Sequence, residues 1–243
     1  MPKRFVVAAS DFSELSRSDT GFELAEGLTA AAQQLHETSS PHATLRTAVR
    51  LAVRILPGVE YAGISVIEPP KADRQTLAWT DEVVRSADAL NAGQEHPPYW
   101  SRLWTAPVAR IEDSAAADGD GDRALSDLGL RSVLSMRLRA DRRRLTVLTA
   151  YARAPRAFDE SATRIGRLFT AHVGIALDSA TLREQLTEAM RTRDLIGQAT
   201  GILMERLDID ASEAFDSLVR TSQRENVKLR DLARRIVDTG EGE

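Results

Sequence analysis

"RSVLSMRLRADRRRLTVLTAYARAPRAFDE", residues 131–160, holds the turning point of the chain. Two runs rich in β-branched and apolar residues meet at the charged turn "DRRR" (141–144), which is the pattern of a β-hairpin. From Phe158 onward the apolar period lengthens to that of a helix and stays there. Upstream, apolar residues recur at helical spacing over 22–35 and again over 43–56, where Leu45, Val49, Ala52, Val53 and Leu56 share a face until Pro57 and Gly58 stop it. "YAGISVIE" (61–68) reads as a strand ended by Pro69 and Pro70, with "TLAWT" (76–80) as its meander partner. A helix over 81–90, the irregular "NAGQEHPPYW" (91–100), a strand over 107–113 and a short helix closed near Gly129 complete this half. Helices, then strands and short helices, then a hairpin predict an antiparallel α+β domain over 21–160, preceded by a flexible Ser-rich arm over 1–20.

Composition limits what such a chain does. Its 243 residues are 42% hydrophobic and 28% charged, a globular balance. A net charge of −4 excludes a generally basic nucleic-acid binder and leaves room only for a local patch. With no cysteine, there are no disulfides, thiolate catalysis, iron–sulfur clusters or thioether-linked chromophores. The basic start followed by five apolar residues is too short for a signal segment, and no run approaches the roughly 18 residues of a membrane span. A cytoplasmic protein with no membrane contact is expected.

Beyond Phe158, Ile165, Leu168, His172, Ile175, Ser179, Leu182, Leu186, Ala189, Arg193 and Ile196 recur at 3–4 spacing, as in a coiled-coil seam. A linker helix over 161–194 that pairs with a second copy through Ile175, Leu182, Leu186, Ala189 and Ile196 is therefore expected. Behind it, "IGQATGILMERLDIDASEAF" (196–215) sets Gly197, Ala199 and Gly201 into an apolar helix, although each helical glycine costs about 1 kcal/mol against alanine. Either another helix or a ligand must come close there. Asp210 and Glu213 have capping-box spacing and start a helix with Ala214, Phe215, Leu218, Val219 and Ser222 inward. A third helix buries Leu229, Leu232, Ala233, Ile236 and Val237 and stops at Gly240.

The segment from Ile196 to Asp238 resembles the ANTAR family of RNA-binding transcription antitermination modules. Ile196, Ala199, Gly201, Leu203 and Met204 carry the first block of the resemblance, Ala214 and Phe215 the second, Leu229 and Ala233 the third. Thr200 stands where that family usually has Lys or Arg. The preceding half is similar to a GAF domain in "LGLRSVLSMRLR", the hairpin and "RAPRAFDE", with "NAGQEHPPYW" in place of the usual "GEGP" loop. The resemblance implies a GAF-like sensor, a coiled coil and a three-helix RNA-binding module over 195–240 that binds paired stem-loops in nascent RNA, as a homodimer. The residues implied for RNA are Gln198, Thr200, Gly201, Arg220, Arg224, Lys228, Arg230 and Arg234. A basic cluster of this kind is what phosphate neutralisation needs. A dimeric scaffold that binds protein partners instead of RNA is the alternative reading.

Other constellations fail. "DGDGD" (118–122) lacks the Gly and Glu of a calcium loop, at Arg123 and Gly129, and reads as a flexible acidic loop. His36, His42, His96 and His172 have no metal-ligand spacing, and no nucleophile elbow or phosphate loop is present. No catalytic residue, metal or cofactor is expected. Trp79, Tyr99, Trp100 and Trp104 are candidates to line a pocket for a small-molecule ligand of unknown identity.

Overall fold

The computed structural model describes residues 19–68, 73–90, 99–117, 119–141 and 143–240, and clusters into two units, 1–181 and 182–243. Most of the expected arm, Pro69, Pro70, His96, Asp118 and nearly all of the irregular 91–100 stretch lie outside the described residues. Residues 19 and 20, expected in the arm, already belong to α1 (Asp19–His36). Helix α2 (Pro41–Ile55) starts where Ser40 accepts from the Ala43 amide and a proline fills the first turn, so two start signals coincide.

Five antiparallel strands follow in the order β2-β1-β5-β4-β3. They are β1 (Tyr61–Glu68), β2 (Asp73–Trp79), β3 (Val108–Ile111), β4 (Ser132–Ala140) and β5 (Leu145–Ala152). β5 is buried at every position, which is why its sequence reads as an apolar run rather than an alternation. Opposite β5, Leu134 pairs with Ala150 and Met136 with Leu148 on one face, whereas Val133 pairs with Tyr151 on the other.

The first face packs on α2 and on the start of α5 (Glu160–Leu207). Phe158, Ala162, Ile165, Phe169, Val173, Ala176 and Leu177 are buried there, at the helical period. The second face is covered by α3 (Glu82–Ala89), a 3-10 turn over Tyr99–Trp104 and α4 (Asp120–Asp127). The acidic stretch expected to be a flexible loop therefore contributes its last residues to α4, with Gly119 as the N-cap.

Gly63 sits where α3 presses on β1. A Cβ there would overlap Cγ1 of the fully buried Val84. Gly63→Ala should cost about 1–3 kcal/mol by overpacking, read as a lower urea midpoint with unchanged slope. An unchanged midpoint would show that α3 shifts freely.

In the second unit, the end of α5 is followed by α6 (Ala211–Glu225) and α7 (Leu229–Gly240). Asp208, at φ 54, breaks α5, and Asp210 with Glu213 forms a complete capping box for α6. Asn226 closes α6 in the left-handed conformation at φ 53, a role asparagine fills at modest cost. Ala199, Leu218, Leu232 and Ala233 form the buried centre, with Leu195, Ile196, Leu203, Val227, Leu229, Ile236 and Val237 packed around it.

Candidate functional site

The small residues of α5 divide into two kinds. Ala199 is fully buried in the three-helix core, so its size is set by packing. Gly197 and Gly201 are exposed, and a Cβ at either would meet nothing within 4 Å. Their smallness is not demanded by their own chain. Gln198 is exposed between them, and the Thr200 hydroxyl donates to the Ile196 carbonyl at 2.8 Å, so it is turned back onto its own helix. Met204, Leu207 and Phe215 are exposed on the same unit. For Phe215 this corrects the inward placement read from the helical period: the α6 core is Ala214 and Leu218, and Phe215 is 42% exposed.

The cations sort by their partners. Arg220 and Arg224 lie one turn apart on α6, Lys228 lies in the connection, and Arg230 and Arg234 lie one turn apart on α7. All five are exposed. Arg230 is engaged with Glu188 at 3.9 Å and Asp231 at 3.5 Å, and Arg235 with Glu225 at 3.0 Å. Among the described residues, Arg220, Arg224, Lys228 and Arg234 are the basic residues of α6, α7 and their connection that make no ion pair. No hydrogen bond or ion pair joins them to Gln198, Thr200 or Gly201 among the described residues.

Along α5 the expected seam is exposed only in its middle. Leu168, Ile175, Leu182, Leu186 and Met190 are 56–67% exposed, and Ala189 is exposed too. Met190, one turn beyond Leu186, was missed in the sequence because the 3–4 count passed through Ala189. The ends behave differently: Ile165 is in the sheet's core, and Ile196 is half-buried against the three-helix core. Ile196 therefore also packs on its own module.

The second face of the sheet carries an ion pair that sequence reading did not find. Arg74 of β2 and Asp88 of α3 meet at 3.1 Å with side chains 2% and 1% exposed. Asp88 also accepts from Ser65 at 2.5 Å, Thr76 at 2.7 Å and Tyr151 at 3.1 Å. Arg74 donates to Thr149 at 2.7 Å and to the Tyr99 hydroxyl at 3.2 Å. Burial opposes the Arg74 charge, but Asp88 and the neighbouring tyrosines outweigh it and hold its pKa above the usual arginine range. Burial pushes the Tyr151 hydroxyl well above the ordinary tyrosine range, against the pull of Arg74. Arg74 Nε and Trp100 Nε1 are buried without a hydrogen-bond partner among the described residues.

Of the aromatic candidates, Tyr99 and Trp100 are in this core, whereas Trp79 is 39% exposed beneath the Arg85 guanidinium. Beside the core, a cavity of about 560 Å³ opens between Tyr99, Arg102, Asp122 and Arg156.

The GAF domain family model matches residues 38–178, more than half of the chain. The chain belongs to the GAF family. Behind its GAF domain, the ANTAR domain model matches residues 184–237. No curated protein matches the chain. Among solved structures, a bacteriophytochrome from the photosynthetic bacterium R. palustris is 13% identical, with a TM-score of 0.58 over 84% of this chain and 47% of that one. The free methionine-R-sulfoxide reductase from Neisseria meningitidis, in complex with its substrate, is 15% identical, with a TM-score of 0.52 over 69% and 95%. The GAF domain of an Acinetobacter phosphoenolpyruvate-protein phosphotransferase is 13% identical, with a TM-score of 0.50 over 67% and 98%. The GAF–ANTAR chain thus spans about half of the bacteriophytochrome, and at these identities the likeness establishes the fold alone. No helix among its described residues is long and apolar enough to cross a membrane.

Proposed function

We propose that this GAF–ANTAR regulator is a cytoplasmic, non-catalytic RNA-binding protein that favours transcription antitermination by holding paired stem-loops in nascent RNA. The observation that carries the reading is that Arg220, Arg224, Lys228 and Arg234, clustered on α6, α7 and their connection within the segment that the ANTAR model matches, make no ion pair among the described residues. Cations without internal partners gain most from phosphate, because binding breaks no existing ion pair. Gln198, Thr200 and Gly201 complete the surface: open glycines let a sugar–phosphate backbone approach the helix. Arg230, already held by two carboxylates, contributes less than its neighbours. The GAF domain acts as the sensor, and residues 161–194 form a coiled-coil linker between it and the module over 195–240. Two copies pair through Ile175, Leu182, Leu186 and Ala189, doubling the cationic surface.

Fluorescence anisotropy on a two-stem-loop RNA, with a scrambled duplex as control, tests this. Affinity should fall with salt at a log–log slope of about −0.7 to −0.9 per neutralised phosphate. Arg224→Ala should weaken every RNA and reduce the slope by about one unit. Thr200→Lys should strengthen binding, since it adds a charge beside Gly201. The exposed Met204, Leu207 and Phe215 favour the other reading, a module that docks proteins. That reading predicts no salt-dependent RNA binding in either variant, and such a result would replace the RNA assignment.

A further inference from the structure

The cavity beside Tyr99 contains opposite charges that do not meet. Three of the six charged residues that line it are already satisfied: Arg110 bonds Glu112 at 3.0 Å, and Asp113 takes a two-pronged bond from Arg131 at 2.8 and 2.7 Å. Three charges remain. Arg102 and Arg156 are exposed and make no side-chain hydrogen bond or ion pair among the described residues. Asp122 is partly buried and, among the described residues, accepts a long bond from the Tyr99 amide at 3.4 Å and makes no ion pair. Arg102 is near enough to attract Asp122 electrostatically yet forms no ion pair with it. Flexible arginines that leave a half-buried carboxylate unpaired across an open cavity mark a space of ligand size.

We propose that this cavity binds a small zwitterionic metabolite, its carboxylate or phosphate held by Arg102 and Arg156 and its ammonium by Asp122. The rest of the lining fits: Ile111, Ala116 and Ala117 give an apolar wall short enough to leave the volume free, and about 560 Å³ accommodates a compact metabolite. Arg102 acts on Asp122 and Arg156 on Asp113 only at a distance, so binding breaks no ion pair among the described residues. Tyr99 couples the site to the interior. Its amide touches Asp122, while its hydroxyl accepts from Arg74 at 3.2 Å inside the buried network. Occupancy of the cavity therefore pulls on the turn that carries Trp100 and Trp104.

The inference deepens the reading of the GAF domain as a sensor and names its ligand class. Tryptophan fluorescence of the full chain, without RNA, reads binding directly, so its failure is separate from failure of the RNA assignment. γ-Aminobutyrate and O-phosphoethanolamine are the bipolar probes; butyrate, butylamine and inorganic phosphate are the single-charge controls. At least one bipolar probe should bind saturably and about tenfold more tightly than its matched controls, as one charge-assisted hydrogen bond allows. Preference between the two probes separates carboxylate from phosphate. Asp122→Asn should weaken the bipolar probe about tenfold and leave the anionic control unchanged. Arg102→Ala with Arg156→Ala, both at exposed positions, should weaken both. The proposal is overturned if neither bipolar probe gives saturable binding, if the controls bind equally well, or if the variants leave affinity unchanged.

Discussion

Asp88→Ala is expected to destabilise the GAF domain by about 3–5 kcal/mol, the range for removing one partner of a buried ion pair. The loss comes from what is left behind. Arg74, 2% exposed, would keep its charge in the interior with only Thr149 and Tyr99 as acceptors, while Ser65, Thr76 and Tyr151 would each lose the oxygen that they now bond. Global stability is typically only about 5–15 kcal/mol, so the loss would remove a large share of it. Urea denaturation followed by far-ultraviolet circular dichroism measures the change. The double variant Arg74→Met with Asp88→Leu is the informative companion: it removes both charges together and should recover most of the loss. A single-variant loss below about 1 kcal/mol would mean that water reaches the pair and that the network is not a dry core.

Leu186→Lys is expected to turn a dimer into a monomer. Leu186 is 56% exposed in the single chain and lies in the stretch of α5 where Ile175, Leu182 and Met190 are exposed as well. Apolar side chains repeating along one solvent-facing helix gain by covering each other, at about 25 cal/mol per Å². A lysine at the centre of a paired seam places a charge from each copy against the other. An uncompensated buried charge costs several kcal/mol, and each 1.4 kcal/mol is tenfold in Kd, so the dimer should weaken by at least a hundredfold. Multi-angle light scattering at tens of micromolar distinguishes the species. A monomeric parent at that concentration would remove the homodimer from the proposal. Circular dichroism should show the same helix content in both, since the substitution touches no residue of either core.

How legible these features were depends on the signal each residue left. The helix–strand order, the 141–144 hairpin turn and the capping box at Asp210 were readable because each rests on local chemistry within a few residues. Phe215 misled because the helical period cannot rank two adjacent apolar residues, and tertiary packing chose Ala214 and Leu218. The partial packing of Ile196 on the three-helix core was hidden for a related reason: a heptad count runs on through a helix without marking where one core ends and another begins. The Arg74–Asp88 pair was illegible, since it joins a strand to a helix through space and neither residue is flagged by its neighbours. Placing the start of β2 at Thr76 also left Arg74 outside the sheet. The cavity charges were hidden similarly, because Arg102, Asp122 and Arg156 come from three separate segments.

Among the described residues, the sheet ends in two unequal edge strands. At one, β3 offers four residues, Val108–Ile111, with Arg110 exposed. At the other, β2 runs for seven, and its Arg74 is tied into the interior. A short charged border gives an incoming strand little to zip onto, and a tethered one cannot be peeled away cheaply. An exposed sheet edge carries a general hazard, in which the sheets of neighbouring copies fuse edge to edge into aggregate. Here that hazard is blunted at the protein's own margins.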